Sequence, residues 1–274
     1  MDYYFHKTKD ELPSHTTLEV LAEDFNKSFR NKILLIRNNL HRNKGSLPTT
    51  TVSDDSSNIP PTFDSFDLPE GETIKKVIGM LRPKTYKLDP IPTHLIKDNL
   101  PILVPTISNI VRTSLSKGIF PQSLKISHIR PKLKKTDLDK ELFTNYRPIA
   151  NIAFMSKVIE KTVALQVQAY LNDNQLLPSF QSAYRQYHST ETALLKVKND
   201  ILMTIDSRCD AILILLDLSA AFDTLDHNIL IKRLNSYFGF FGSVLQWFSS
   251  YIKDRGQSVV IGDVISSQIG RAHV

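Results

Sequence analysis

The chain has 274 residues, 41% of them hydrophobic, and a formal net charge of +6; it can bury the core of one large domain, or of a domain with an appended arm, and its cation excess fits a polyanionic partner. A single cysteine, Cys209, excludes an internal disulfide framework and a cysteine-rich zinc cluster, which points to a reducing compartment. The charged opening MDYYFHKTKDE excludes the apolar core of a signal peptide, and no stretch reaches the roughly 20 apolar residues of a spanning helix, so an intracellular protein of the cytoplasm or nucleus with no membrane partner is expected.

Apolar residues at Leu18, Leu21, Phe25, Phe29, Ile33 and Ile36 have helical spacing, with Lys and Arg between them, and predict an amphipathic helix over residues 18–40 within an N-terminal unit of residues 1–44. Its basic face is read as solvated. Residues 45–62 are rich in Ser, Thr, Asp and Pro and cannot bury enough apolar surface to order themselves, so they are read as a linker. Asp54 and Asp55 fall in that linker and make a poor metal site. A unit over residues 63–124 follows, with helices expected at 72–81, near Thr93 after the turn set by Pro90 and Pro92, and at 105–116, the last ended by Lys117 and Gly118.

Lys125, Arg130, Lys132, Lys134 and Lys135 then occur with no acid among them, around an alternating stretch that suits a strand. A charge run is usually a solvated face; five cations on a strand can also face a phosphate backbone or a triphosphate. In NYRPIAN, Arg147 precedes Pro148, so its backbone is pushed extended and its guanidinium projects from a stiff support suited to bidentate phosphate contacts. A long helix is expected over 156–173.

Six apolar residues, Ala211 to Leu216, run unbroken between Asp210 and Asp217. They predict a strand covered on both faces, with the Asp217 carboxylate leaving the sheet at its carboxyl edge. Together with the backbone carbonyl of Leu218 it offers hard oxygen donors to a cation such as Mg²⁺. Ser219, Ala220 and Ala221 leave room beside the chain, and Phe222 supplies one bulky wall. An isolated Asp in such a place is more often a turn former or cap, and Asp226 reads as the N-cap of the helix that follows. Helices over 227–238 and 243–253, broken by Gly239 and Gly242, and a strand over 257–261 turning at Gly262 and Asp263 complete the chain. Trp247, at helical spacing, is read as core rather than a stacking surface, and His188 as a core or capping residue rather than a metal ligand.

DLSAAFDTLDH closely resembles the first catalytic motif of reverse transcriptases from non-LTR, LINE-type retrotransposons. HIRPKLKK, NYRPIANIAFMSKVIEK and LLPSFQSAYRQYHSTETALLKVKNDI resemble the finger motifs that precede it in that family, and KLDPIPTHLIK and SLSKGIFPQSLK resemble its N-terminal extension. The resemblance spans about residues 63–268. It implies an α+β fold, the fingers and partial palm of a right-hand polymerase over residues 125–268, acting on an RNA template, a DNA primer and a dNTP. In that family the first Asp binds two catalytic Mg²⁺ ions and the aromatic five residues on excludes a ribose 2′-hydroxyl, roles that fall on Asp217 and Phe222. It further implies that Lys132, Lys134 and Arg147 hold the triphosphate, and that Lys125, Arg130, Lys135 and Arg185 meet nucleic acid. Relatives usually read Phe-Arg-Pro-Gly where this chain has Tyr184, Arg185, Gln186 and Tyr187, which puts the tight turn and the place of Arg185 in question.

Two-metal chemistry needs further carboxylates. The family takes them from a later aspartate pair, and none precedes Val274 outside the N-terminal linker, so a truncated, inactive polymerase is expected, with residues 269–274, IGRAHV, a non-native tail that a sequencing adapter can encode. Two alternatives stay open: a non-catalytic basic nucleic-acid-binding module, which has no use for Asp217, and a small metal-dependent nuclease, which needs Asp223 and Asp226 clustered with it.

Overall fold

The computed structural model describes residues 12–43, 61–83, 87–218 and 220–270, arranged as a mixed α+β fold with two cores. The proposed linker and its two aspartates lie mostly outside the described residues, as do residues 271–274.

The helix expected at the N-terminus forms α1, Leu18–Asn43. Leu21, Ala22, Phe25 and Phe29 recur on one side of it and are buried against a sheet made of β1 (Ile126–Leu133), β2 (Tyr146–Ile152), β3 (Gly256–Ile261), β4 (Val264–Ile265) and β5 (Ile269–Gly270). Strand order is β2-β1-β3-β4, with β5 also on β3; β1 runs antiparallel to β2 and parallel to β3. Ile129 and Val259 are paired across β1 and β3, so both point at α1 and join Phe25 and Phe29 in one core. Phe25 meets Phe143 and Tyr146 edge-on, at 4.6 and 4.9 Å between ring centres. Thus α1 belongs to the sheet layer and is not a free arm. The β3–β4 hairpin turns at Gly262 and Asp263, as its sequence foretells.

The second core is helical. It gathers α2 (Gly71–Met80), α4 (Leu100–Ser116), α5 (Phe154–Asp173) and α8 (Gly242–Ile252) around Trp247. The short α3 (Thr93–Asp98) leads into α4. Helix α4 begins five residues before its expected start because Pro101 sits in the first turn, where a missing N–H costs nothing, and Pro105 is tolerated within it. It ends at Gly118, whose φ of +61° and a Cβ position only 2.7 Å from the Ser243 carbonyl leave room for glycine alone. Ala153 cannot cap α5 with its side chain; Asp89, 65 residues earlier, accepts the Phe154 N–H at 2.6 Å instead. This ties the 87–97 passage to the helix that follows β2. Residues 63–124 therefore pack into the same core as residues 154–163 and 240–247. No helix among the described residues is long and apolar enough to cross a membrane.

The expected buried strand at 211–216 does not form. The backbone from Cys209 to Leu218 has no regular structure, and Ile212 and Leu216 are 88% and 91% exposed. A strand is stable only with a ladder partner and cover on its faces; no described strand pairs with this run. Helix α6 (Thr190–Asp206), just before it, is held by local devices: a capping box between Ser189 and Thr192, and a Lys196–Asp200 pair at 3.2 Å. Its Leu194, Leu195 and Met203 are exposed.

Candidate active site

The β1–β2 ladder fixes which cations share a face. Lys132 lies directly opposite Arg147, and Arg130 opposite Ile149, so the alternation of a strand puts all three side chains on one side, with half-buried His128. Pro131 faces Pro148 between these pairs, a place where neither strand needs an N–H. Burial, and then the Lys87 charge, hold the His128 imidazole below its ordinary value. The strand's hydrogen bonding continues one step, from the Lys134 N–H to the Asn145 carbonyl, and the Lys134 ammonium donates to the Thr144 carbonyl at 2.7 Å. Lys135 is exposed.

Lys125 departs from expectation. It is only 5% exposed, at the turn before β1, and burial lowers its pKa, opposed by the nearby Asp254 charge. A side chain enclosed there does not reach a nucleic-acid backbone.

The other face of the hairpin carries Ile129, Tyr146, Pro148 and Ala150. They line a cleft of about 200 Å³ whose rim includes Ala220 and Asp223. The acidic loop thus stands over the face away from Arg130, Lys132 and Arg147. Within the loop, Asp217 and Leu218 are exposed, and Phe222 is 74% exposed. Ala220 adopts φ +53°, and its carbonyl accepts the N–H groups of Asp223 (2.9 Å) and Thr224 (3.1 Å), closing a turn. Asp226 is the N-cap of α7 (His227–Ser236): one carboxylate oxygen accepts the N–H groups of Asn228 and Ile229 at 2.8 and 3.1 Å. The sequence reading of that residue holds.

Asp217 forms no hydrogen bond or ion pair among the described residues, so its carboxylate is open to a cation. The Asp217 oxygens and the Leu218 carbonyl suit a hard divalent ion in chemistry but not in number, and among the described residues no three His, Cys, Asp or Glu side chains cluster for a metal. A nuclease-like group of Asp217, Asp223 and Asp226 is not assembled.

The single tight turn expected at 184–187 is replaced by two short ones, at 183–184 and 186–187, and the His188 N–H closes on the Arg185 carbonyl at 3.4 Å. Tyr184 and Tyr187 sit at φ +61° and +62°, the left-handed region that disfavours side chains with a Cβ. Arg185 donates to the Pro178 and Gln181 carbonyls, at 3.2 and 3.4 Å, and so binds its own loop. His188 is exposed; its Nδ1 lies 2.9 Å from the Gln186 carbonyl, one residue before the cap of α6. Trp247 is buried, with Nε1 donating to Ser114 Oγ at 3.1 Å. Sequence reasoning missed Arg37, which donates to the Asp223 carbonyl at 3.2 Å across 186 residues. Nothing local in the sequence marks such a pairing.

Residues 133–268 match the model of the reverse transcriptase (RNA-dependent DNA polymerase) family. The chain is 29% identical over 150 residues to a probable RNA-directed DNA polymerase from transposon BS of Drosophila melanogaster, covering 53% of the chain and 16% of that protein. It is 25% identical over 170 residues to the RNA-directed DNA polymerase from mobile element jockey of Drosophila funebris, covering 60% and 18% respectively. A third relative, the probable enzyme from transposon X-element of Drosophila melanogaster, is 30% identical over 107 residues, 37% of the chain and 12% of the relative. The matched stretches thus span less than a fifth of these relatives' lengths. Across residues 133–268 the chain belongs to the reverse transcriptase family.

Proposed function

We propose that the protein containing these residues is the RNA-directed DNA polymerase of a non-LTR mobile element, extending a DNA primer on an RNA template inside the cell, in the cytoplasm or nucleus. In this reading β1–β2 belongs to the fingers and the Asp217 loop to the palm.

The observation that carries it is the state of Asp217: an exposed carboxylate without a partner among the described residues, inside the family-matched stretch, while Asp226 is committed to a helix cap. Asp217 and the Leu218 carbonyl would contribute oxygens to Mg²⁺. When bound, the metal polarises the phosphate and neutralises charge that develops during transfer. Lys132 and Arg147, fixed opposite each other on a stiff ladder with Lys134 at its end, stand on the face away from the Asp217 loop, so the triphosphate role that the resemblance implies for them is not met in this arrangement and the pair is left to hold backbone phosphates. Arg130 and Lys135 contact the nucleic-acid backbone, and Arg185 acts from its loop. Phe222 walls the nucleotide and excludes a 2′-hydroxyl. Because the donors described here fill only part of a two-metal shell, residues 1–274 on their own are expected to bind nucleic acid without extending a primer.

The test is primer extension by the polypeptide of the full reading frame that contains these residues. Incorporation of dNTPs on RNA that Asp217→Ala abolishes supports the proposal. A different outcome, salt-dependent RNA binding with no incorporation and no response to Mg²⁺ or to Asp217→Asn, favours a non-catalytic basic module and overturns it.

A further inference from the structure

We infer that α1, which lies outside the family-matched residues, positions the Asp217 loop, and that Arg37 is the positioning residue. The placement rests on reading Asp217 as the metal carboxylate.

Three observations converge on this helix. Its N-terminal half is fixed to the sheet, with Leu21, Ala22, Phe25 and Phe29 in the α1–sheet core. It is also stitched to the segment after β4, where Glu23 accepts the Ser267 N–H and hydroxyl and Asn26 donates to the Ser267 carbonyl. Its C-terminal half runs on past the sheet to the loop. There Arg37 donates to the carbonyl of Asp223, the residue whose own N–H closes the turn on Ala220. Ile36 and Leu40 share the wall of a cavity of about 400 Å³ with Leu218, Ala221 and Leu225. One helix therefore carries a rigid anchor at one end and the turn that follows Asp217 at the other. The apolar run before Asp217 has no ladder to fix it, so the loop needs an outside support, and α1 supplies one. Arg37 suits this role because its long side chain carries a charged donor, Nη2, from the helix to that carbonyl.

Hydrogen–deuterium exchange on the whole 274-residue chain tests the assignment. In Arg37→Ala, amides in residues 220–226 are expected to exchange at least tenfold faster, while those of β3, residues 256–261, keep their rates; Arg37→Lys, which retains a donor, recovers most of the protection. Unchanged exchange at 220–226 overturns the proposal. So does an equal rise at 256–261, or a Lys variant no better than Ala, since either leaves Arg37 a general contributor to stability. The result separates from the polymerase reading: incorporation that survives Asp217→Ala removes that reading and leaves the exchange result standing, and an absent exchange effect leaves the Asp217→Ala result untouched.

Discussion

Lys132 and Arg147 face each other across the β1–β2 ladder, on a side that also carries Arg130 and Ile149 and no acid. Like charges set directly opposite one another oppose pairing, by roughly 0.2–1 kcal/mol, and neither cation has an acidic partner among the described residues. If the pair holds phosphate, as proposed, the stability that this juxtaposition costs the free fold is gained back on binding the anion. Replacing Arg147 by Thr is expected to raise the stability of the chain slightly, by about 0.5 kcal/mol, while weakening its binding to an RNA–DNA hybrid and lowering the salt slope of that binding by about one. Thermal melts and a salt titration check both signs. Equal affinity and slope in the variant would remove the phosphate role.

At Tyr184 and Tyr187 the backbone holds a conformation that their side chains do not favour. Holding a residue with a Cβ in the left-handed region costs roughly 1–2 kcal/mol, and glycine in exchange loses about 0.5–1 kcal/mol through the unfolded chain. Tyr187, 92% exposed at φ +62°, gives up little packing when replaced. Tyr187→Gly is therefore expected to stabilise by a few tenths to about 1 kcal/mol, read as a rise in denaturation midpoint. The same change at Gln186, whose φ is not positive, is expected to destabilise.

What was legible in the sequence was local. The alternation around Arg130, the Asp226 cap, the Gly118 stop and the two-residue β3–β4 turn depend on a few neighbouring residues, and each is found where its pattern puts it. The apolar run at 211–216 misled because six aliphatic residues specify the propensity of a strand and not its partner. Lys125 misled for a related reason: a count of cations does not tell which of them lies at a turn that closes against Gly256, whose N–H bonds the Lys125 carbonyl. Arg37 and Asp223 were out of reach, because a side chain meeting a carbonyl 186 residues away leaves no periodic trace. The site was thus readable as a set of residues and not as a geometry, and the side of the hairpin on which the acidic loop stands came only from the fold.

Trp247 decides between a core and a base-stacking surface. It lies parallel to Tyr251 with 5.0 Å between ring centres and edge-on to Phe120 at 5.6 Å, and its indole N–H is taken by Ser114. Trp247→Ala is expected to cost about 3–5 kcal/mol through the cavity it leaves. Trp247→Phe, which loses the hydrogen bond and part of the ring, is expected to cost about 1–2 kcal/mol with affinity for single-stranded RNA unchanged. A loss of affinity in a Phe variant of near-native stability would return this residue to the binding surface.

The tie between α1 and residue 267 makes the fold sensitive to acid. The Ser267 N–H, the largest influence, holds the Glu23 carboxyl below the usual glutamate range; partial burial opposes it, and the Ser267 hydroxyl and Lys27 add to it. A carboxylate whose folded pKa is depressed contributes stability above its unfolded value and loses that contribution as pH falls through the folded value. The melting temperature is therefore expected to fall between about pH 5 and about pH 3. Glu23→Gln keeps an oxygen acceptor for Ser267 but cannot titrate, so its melting temperature should be lower than that of the native chain at pH 6 and the difference should shrink as the solution is acidified. Parallel curves for the two proteins from pH 6 to pH 3 would show that the Glu23 charge does not hold α1 to the sheet.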